Sequence, residues 1–147
     1  MLAAASFVVG LVCGVYLGFR FEQSRNVAER TLAFGQAVKA LEIARTSGND
    51  ANYEEALWRH IAHLQIDENS AQPQLNEKGF AVDYALAYAR LSMIAGKRGS
   101  ESESSRLLQK AESFCPRIGW PECSGRSILA FAKQVESNRS SKSGLDR

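Results

Sequence analysis

The chain opens on an unbroken apolar run and changes character at one residue. Leu2 to Phe19 reads LAAASFVVGLVCGVYLGF, without a charged side chain, and Arg20 ends it. As a helix rising 1.5 Å per residue, the run spans about 27 Å, close to the hydrocarbon thickness of a bilayer. The pattern predicts a transmembrane helix over 2–19, with Tyr16 and Phe19 at headgroup level. A cleaved secretory signal fits less well. No basic side chain precedes the run, its alanines lie at the start, and bulky or charged residues follow it. A lipid-modified Cys13 fits no better, because Leu11 and Val12 precede it. Ser6, Gly10, Gly14 and Gly18 recur at every fourth position. On a helix they form one strip of small residues where a second helix, of the same chain or another, can approach closely in lipid.

Beyond Arg20 the apolar positions recur at steps of three and four. Val27, Thr31, Phe34, Val38 and Leu41 predict a helix to about Thr46, where Ser47-Gly48-Asn49-Asp50 supplies a stop and a cap. Tyr53, Ala56, Leu57, Ile61 and Leu64 mark a second helix over about Asn52 to Ile66. The polar stretch Asp67 to Lys78 contains Pro73 and reads as a loop. A third helix covers about Phe80 to Lys97, with Gly96 and Gly99 around the basic exit Lys97-Arg98. A fourth runs from Glu101 to Phe114 and is ended by Pro116. Ser124 is placed to cap a fifth, about Gly125 to Ser137, and the polar residues 138–147 read as a disordered tail. No alternating pattern is long enough for a strand. The expected fold is all-α: a transmembrane helix over 2–19, a helical domain over 20–137 and a tail over 138–147.

Composition narrows the chemistry. The 147 residues suffice for one small domain, and 45% hydrophobic with 23% charged residues is ordinary for a folded one. Eighteen basic against sixteen acidic residues give +2, too little excess for a nucleic-acid partner. No phosphate loop, dinucleotide-binding glycine pattern or nucleophile elbow occurs. Glu54-Glu55 and the Glu101/Glu103 pair read as solvated helix starts favoured by the helix dipole. Neither an enzyme nor a cofactor is expected. His60, His63 and Asp67 share one helix face, as metal ligands sometimes do, but the chain has no other histidine. A polar helix face without a metal is the expected reading.

Cys115 and Cys123 flank Pro-Arg-Ile-Gly-Trp-Pro-Glu, a bend short enough for a disulfide, and two separately buried thiols are the alternative. The two readings bear on location. A bridge needs an oxidising compartment. Arg20, Arg25, Arg30 and Lys39 follow the apolar run and favour a domain facing the cytoplasm over the periplasm. Trp120, between Pro116 and Pro121, is expected to plug one end of the helical stack.

Two helix pairs superpose at a fixed offset, Ala37 to Glu68 on Ala85 to Ile118. In the second window Tyr88, Leu91, Ser92, Gly99, Ser104, Leu108, Ala111 and Pro116 fall where the tetratricopeptide repeat places its aromatic, leucine, small, turn and closing residues. In the first, Ile43, Ala44 and Asn52-Tyr53-Glu54-Glu55-Ala56-Leu57 fit. Ala40, His63, Glu68, Ala95 and Glu101 depart from the pattern. The chain thus resembles tetratricopeptide proteins over about half its length, a family built of paired antiparallel helices of about 34 residues. The resemblance implies binding of a protein or peptide in a concave groove, without catalysis. Tyr53, Trp58, Tyr84 and Tyr88 are the side chains expected to line it. The expected function is a membrane-anchored adaptor or assembly protein of a bacterial inner membrane, in contact with lipid and a protein partner. The glycine strip would join it to a second helix. The alternative is a structural subunit of a larger membrane complex.

Overall fold

The computed structural model describes residue 25 and residues 27–143, and these are helical wherever they are regular. Helix α1 covers residues 27–46. The chain divides within it into two units, Met1–Gln36 and Ala37–Arg147. In the first unit the described residues carry an exposed Arg25–Glu29 ion pair and a Thr31 hydroxyl that donates to the Val27 carbonyl. All that follows concerns the second unit.

Four further helices and a short turn of helix complete it: α2 (Asp50–Glu68), α3 (Glu77–Lys97), α4 (Glu101–Glu112), α5 (Cys115–Ile118) and α6 (Gly125–Ser143). The all-α class holds for the described residues, none of which is in a strand. Their boundaries follow from capping. The Asn49 side chain accepts from the Ala51 and Asn52 backbone N–H groups and starts α2. Asn76 does the same for α3 through the Gly79 N–H, so that helix begins three residues before Phe80. Ser124 and Ser127 cap α6 reciprocally, each hydroxyl accepting from the other's backbone N–H. Gly99, at φ 78°, makes the left-handed turn between α3 and α4 that a side chain would disfavour.

Helix α3 is the centre of the unit and packs against α2, α4, α5 and α6, while α6 also rests on α4. Small side chains make this possible. Ala81, Ala85 and Ala89 of α3 form one buried cluster with Ala111, Ile118, Ile128 and Ala132. At the α3–α4 crossing the Ser104 hydroxyl donates to the Ser92 carbonyl at 2.9 Å. Leu57, Ile61 and Leu64 bury the inner face of α2.

Three expectations need correction. Pro116 does not simply end α4; it occupies the first turn of α5, where its missing N–H costs nothing. The last helix runs to Ser143, past the expected limit at Ser137, because no glycine or proline interrupts residues 126–143. Single-pass membrane localisation is also overturned, because among the described residues no helix is long and apolar enough to cross a membrane. The run over 2–19, with Ser6, Gly10, Gly14 and Gly18, lies outside the described residues.

Candidate interaction surface

The four aromatic residues expected in one groove separate into three environments. Tyr84 is buried at 4% exposure, stacked 5.1 Å from Phe114, and is core. Its hydroxyl is pushed well above the usual tyrosine range, by burial first and then by Glu68. Tyr53 is half-buried, and its hydroxyl donates to Glu136 at 3.2 Å. Tyr88 and Trp58 remain together. The Trp58 ring meets Tyr88 edge-on at 6.0 Å, and Tyr88 stacks on Phe114 at 6.1 Å. The result is a row of rings that starts on α2, crosses the middle of α3 and ends just after α4.

The α2 end of this row reaches solvent. Trp58 is 41% exposed and Ile66 63% exposed. Exposed Ala62 lies midway between them, so the three form a stripe at four-residue spacing along the outer face of α2. At the other end the Lys110 ammonium lies over the Phe114 ring at 5.6 Å. Arg106 is one turn earlier on α4 and is also exposed. Neither cation joins an ion pair among the described residues, whereas Arg59, Lys97, Arg98 and Arg117 all do. An apolar stripe thus leads through an aromatic row to two cations that join no ion pair among the described residues.

A second cluster holds the unit together. The Glu136 carboxylate on α6 accepts from Arg90 Nε on α3 at 2.8 Å, from Arg45 Nη1 on α1 at 3.3 Å and from the Tyr53 hydroxyl on α2. Glu42 also pairs with Arg45, whose pKa rises chiefly through that hydrogen bond. Asp83 on α3 is pushed up by burial, against the lowering effect of Arg90. His60 is buried, and its pKa falls to about 4 through burial first, then the charges of Arg90 and His63. These groups are paired or desolvated inside the packing, which makes this a structural cluster.

The expected polar face of His60, His63 and Asp67 is largely an inner one. His60 and Asp67 are buried, and Asp67 Oδ2 accepts from the Gln74 N–H, which folds the loop back onto α2. Cys115 and Cys123 form a disulfide with Cα atoms 5.6 Å apart. Trp120, inside the bridged loop, meets Phe131 of α6 edge-on at 5.3 Å. Phe114, Lys110 and Arg106 were missed as surface residues by the sequence reading. Phe114 looks there like the last residue of a helix, and nothing local shows that it faces Tyr88. No protein-family model, curated protein or solved structure matches this chain.

Proposed function

We propose that the chain is a non-catalytic protein-interaction module. Its docking surface is the apolar stripe Trp58, Ala62, Ile66 together with Tyr88, Phe114, Lys110 and Arg106. The observation that carries this reading is the run of partly exposed rings ending on two cations that join no ion pair among the described residues. Isolated surface hydrophobics are common, but a stripe continuous with an aromatic row is the kind of patch that marks binding sites. The charges select the partner: an amphipathic protein segment with apolar anchors for Trp58 and Ile66 and carboxylates for Lys110 and Arg106.

Tetratricopeptide-like stacking is part of the same proposal. Its support is the packing of α3 between α2 and α4, the seat of α6 on both α3 and α4, and the close Ser92–Ser104 crossing. In this reading the docking surface keeps Trp58 and Tyr88 of the four residues anticipated from the sequence and adds positions on α2 and α4, the second helices of the pairs.

A photoreactive residue placed at Ala62 or Ile66 in the producing cell tests the proposal. It should give one discrete protein adduct, absent at the exposed control position Arg126 and lost when Trp58→Ala is added. Equal labelling at all three positions, or none at Ala62 and Ile66, would reject the surface.

A further inference from the structure

We propose that the Cys115–Cys123 bond is installed by thiol–disulfide exchange in an oxidising compartment and acts as a latch that docks α6 onto α3 and α4. The bridge joins the first residue of α5 to a residue two positions before α6 begins. Its Cα separation of 5.6 Å needs no displacement of the backbone. Two side chains of the closed loop bear on the seating of α6. Trp120 packs on Phe131, and Ile118 shares the buried cluster with Ile128 and Ala132. Arg117 ties α5 back to α2 by pairing with Glu68. Glu122 holds a left-handed backbone at φ 55°, a conformation unfavourable for any residue with a Cβ, within the loop that the bridge closes. Gly125 enters so close to α4 that a Cβ there would lie 3.0 Å from Leu108 Cγ.

Without the bond, this segment has to be ordered by its packing and by the Arg117–Glu68 pair alone. Chain-entropy arithmetic for a loop this short gives a shift on the order of 70-fold in favour of the closed form. The bond does not persist in a reducing cytosol, where the thiol pool keeps cysteines reduced. Both cysteines are half-buried and pack against the core cluster.

The chemistry balances with an oxidant of the disulfide-bearing protein class. One cysteine thiolate attacks the oxidant's disulfide, forms a mixed disulfide and releases an oxidant thiolate. The second thiolate then attacks the mixed disulfide and releases the other. Two electrons pass to the oxidant, and its two thiolates take up the two protons.

The test uses the full chain carrying Cys13→Ser, produced in its own host, quenched in acid and tagged with a polyethylene-glycol maleimide. No tag before reduction and two after it is the expected result; two tags without reduction would overturn the compartment. Hydrogen exchange then compares the purified oxidised protein with the phosphine-reduced one. Protection in α6 should fall by more than tenfold while α2 and the middle of α3 keep theirs. The double variant Cys115→Ala, Cys123→Ala should show the same pattern without reductant. Unchanged protection in α6, or an equal loss across α2 and α3, would overturn the latch.

Discussion

Replacing Glu136 by Gln removes one charge from the contact that joins four helices. The Arg45 and Arg90 side chains are each 13% exposed, and Glu136 is 22% exposed. At an effective dielectric of 20, an ion pair near 3 Å is worth roughly 5 kcal/mol before desolvation. Desolvation of three ions cancels most of that, so the pairs add little net stability. Breaking them is different, because two guanidiniums then stay buried with less compensation. Loss of one partner of a fully buried pair costs about 3–5 kcal/mol. Glu42 still holds Arg45, and water reaches part of the site, so we expect about 2 kcal/mol for Glu136→Gln. Urea denaturation should show a lower midpoint with an unchanged slope, and Tm should fall by roughly 10 °C. Changing Arg45, Arg90 and Glu136 together to Met should recover much of the loss, since both buried guanidiniums leave with the carboxylate and the Glu42 side chain left behind is 45% exposed. A Glu136→Gln penalty below about 0.5 kcal/mol would refute the reasoning, because that is the range of an ordinary surface change.

Two further predictions concern stability. Because the His60 pKa is lowered from 6.5 to about 4, the unfolded chain takes up this proton before the folded one does. The contribution is fully present above pH 6.5 and is lost as pH falls toward 4, a loss of about 3 kcal/mol. Asp83, pushed upward, works in the opposite sense, since its protonation at acid pH relieves a desolvation cost of the folded state. His60→Leu should therefore flatten the acid limb of a stability–pH profile, and an unaltered limb would count against the assignment. Gly125→Ala places a methyl 3.0 Å from Leu108 Cγ and 3.1 Å from Glu112 Oε2. The glutamate can swing away but the leucine branch point cannot, so about 1–2 kcal/mol of destabilisation should appear in calorimetry. A neutral result would mean that α6 is not seated tightly on α4.

Much of the helical order was legible because helices announce themselves locally. Asn49, Gly99 and Ser124 act where the sequence places them, through side-chain caps and a left-handed turn. Errors arose where one residue type serves two purposes. Pro116 reads as a stop, yet proline is equally at home in a first helical turn, and Pro116 sits in that of α5. Residues 138–143 read as a tail from their polarity, although no breaker occurs before Gly144. The site was harder. Tyr84 and Trp58 are both aromatic residues at helical spacing, and only the neighbours contributed by another helix bury one and expose the other. Val38 continues the apolar pattern of α1 but is 43% exposed, so periodicity alone overstated that face. The Glu136 contact draws on residues 45, 53, 90 and 136, a meeting that no local pattern encodes.

The proposed surface is tested most directly by the affinity of the chain for the protein recovered by cross-linking at Ala62 or Ile66, measured by calorimetry. Trp58→Ala should weaken binding about 30-fold, as truncation of a central aromatic anchor does. Lys110→Glu should weaken it about tenfold, with a shallower dependence on salt. Both variants should remain folded at the assay temperature, as circular dichroism can verify, since Lys110 is exposed on α4 and Trp58 contributes an edge contact with Tyr88 from an exposed position on α2. Equal affinity for the parent and both variants would contradict the account, and the aromatic row would then be no more than the outer edge of the core.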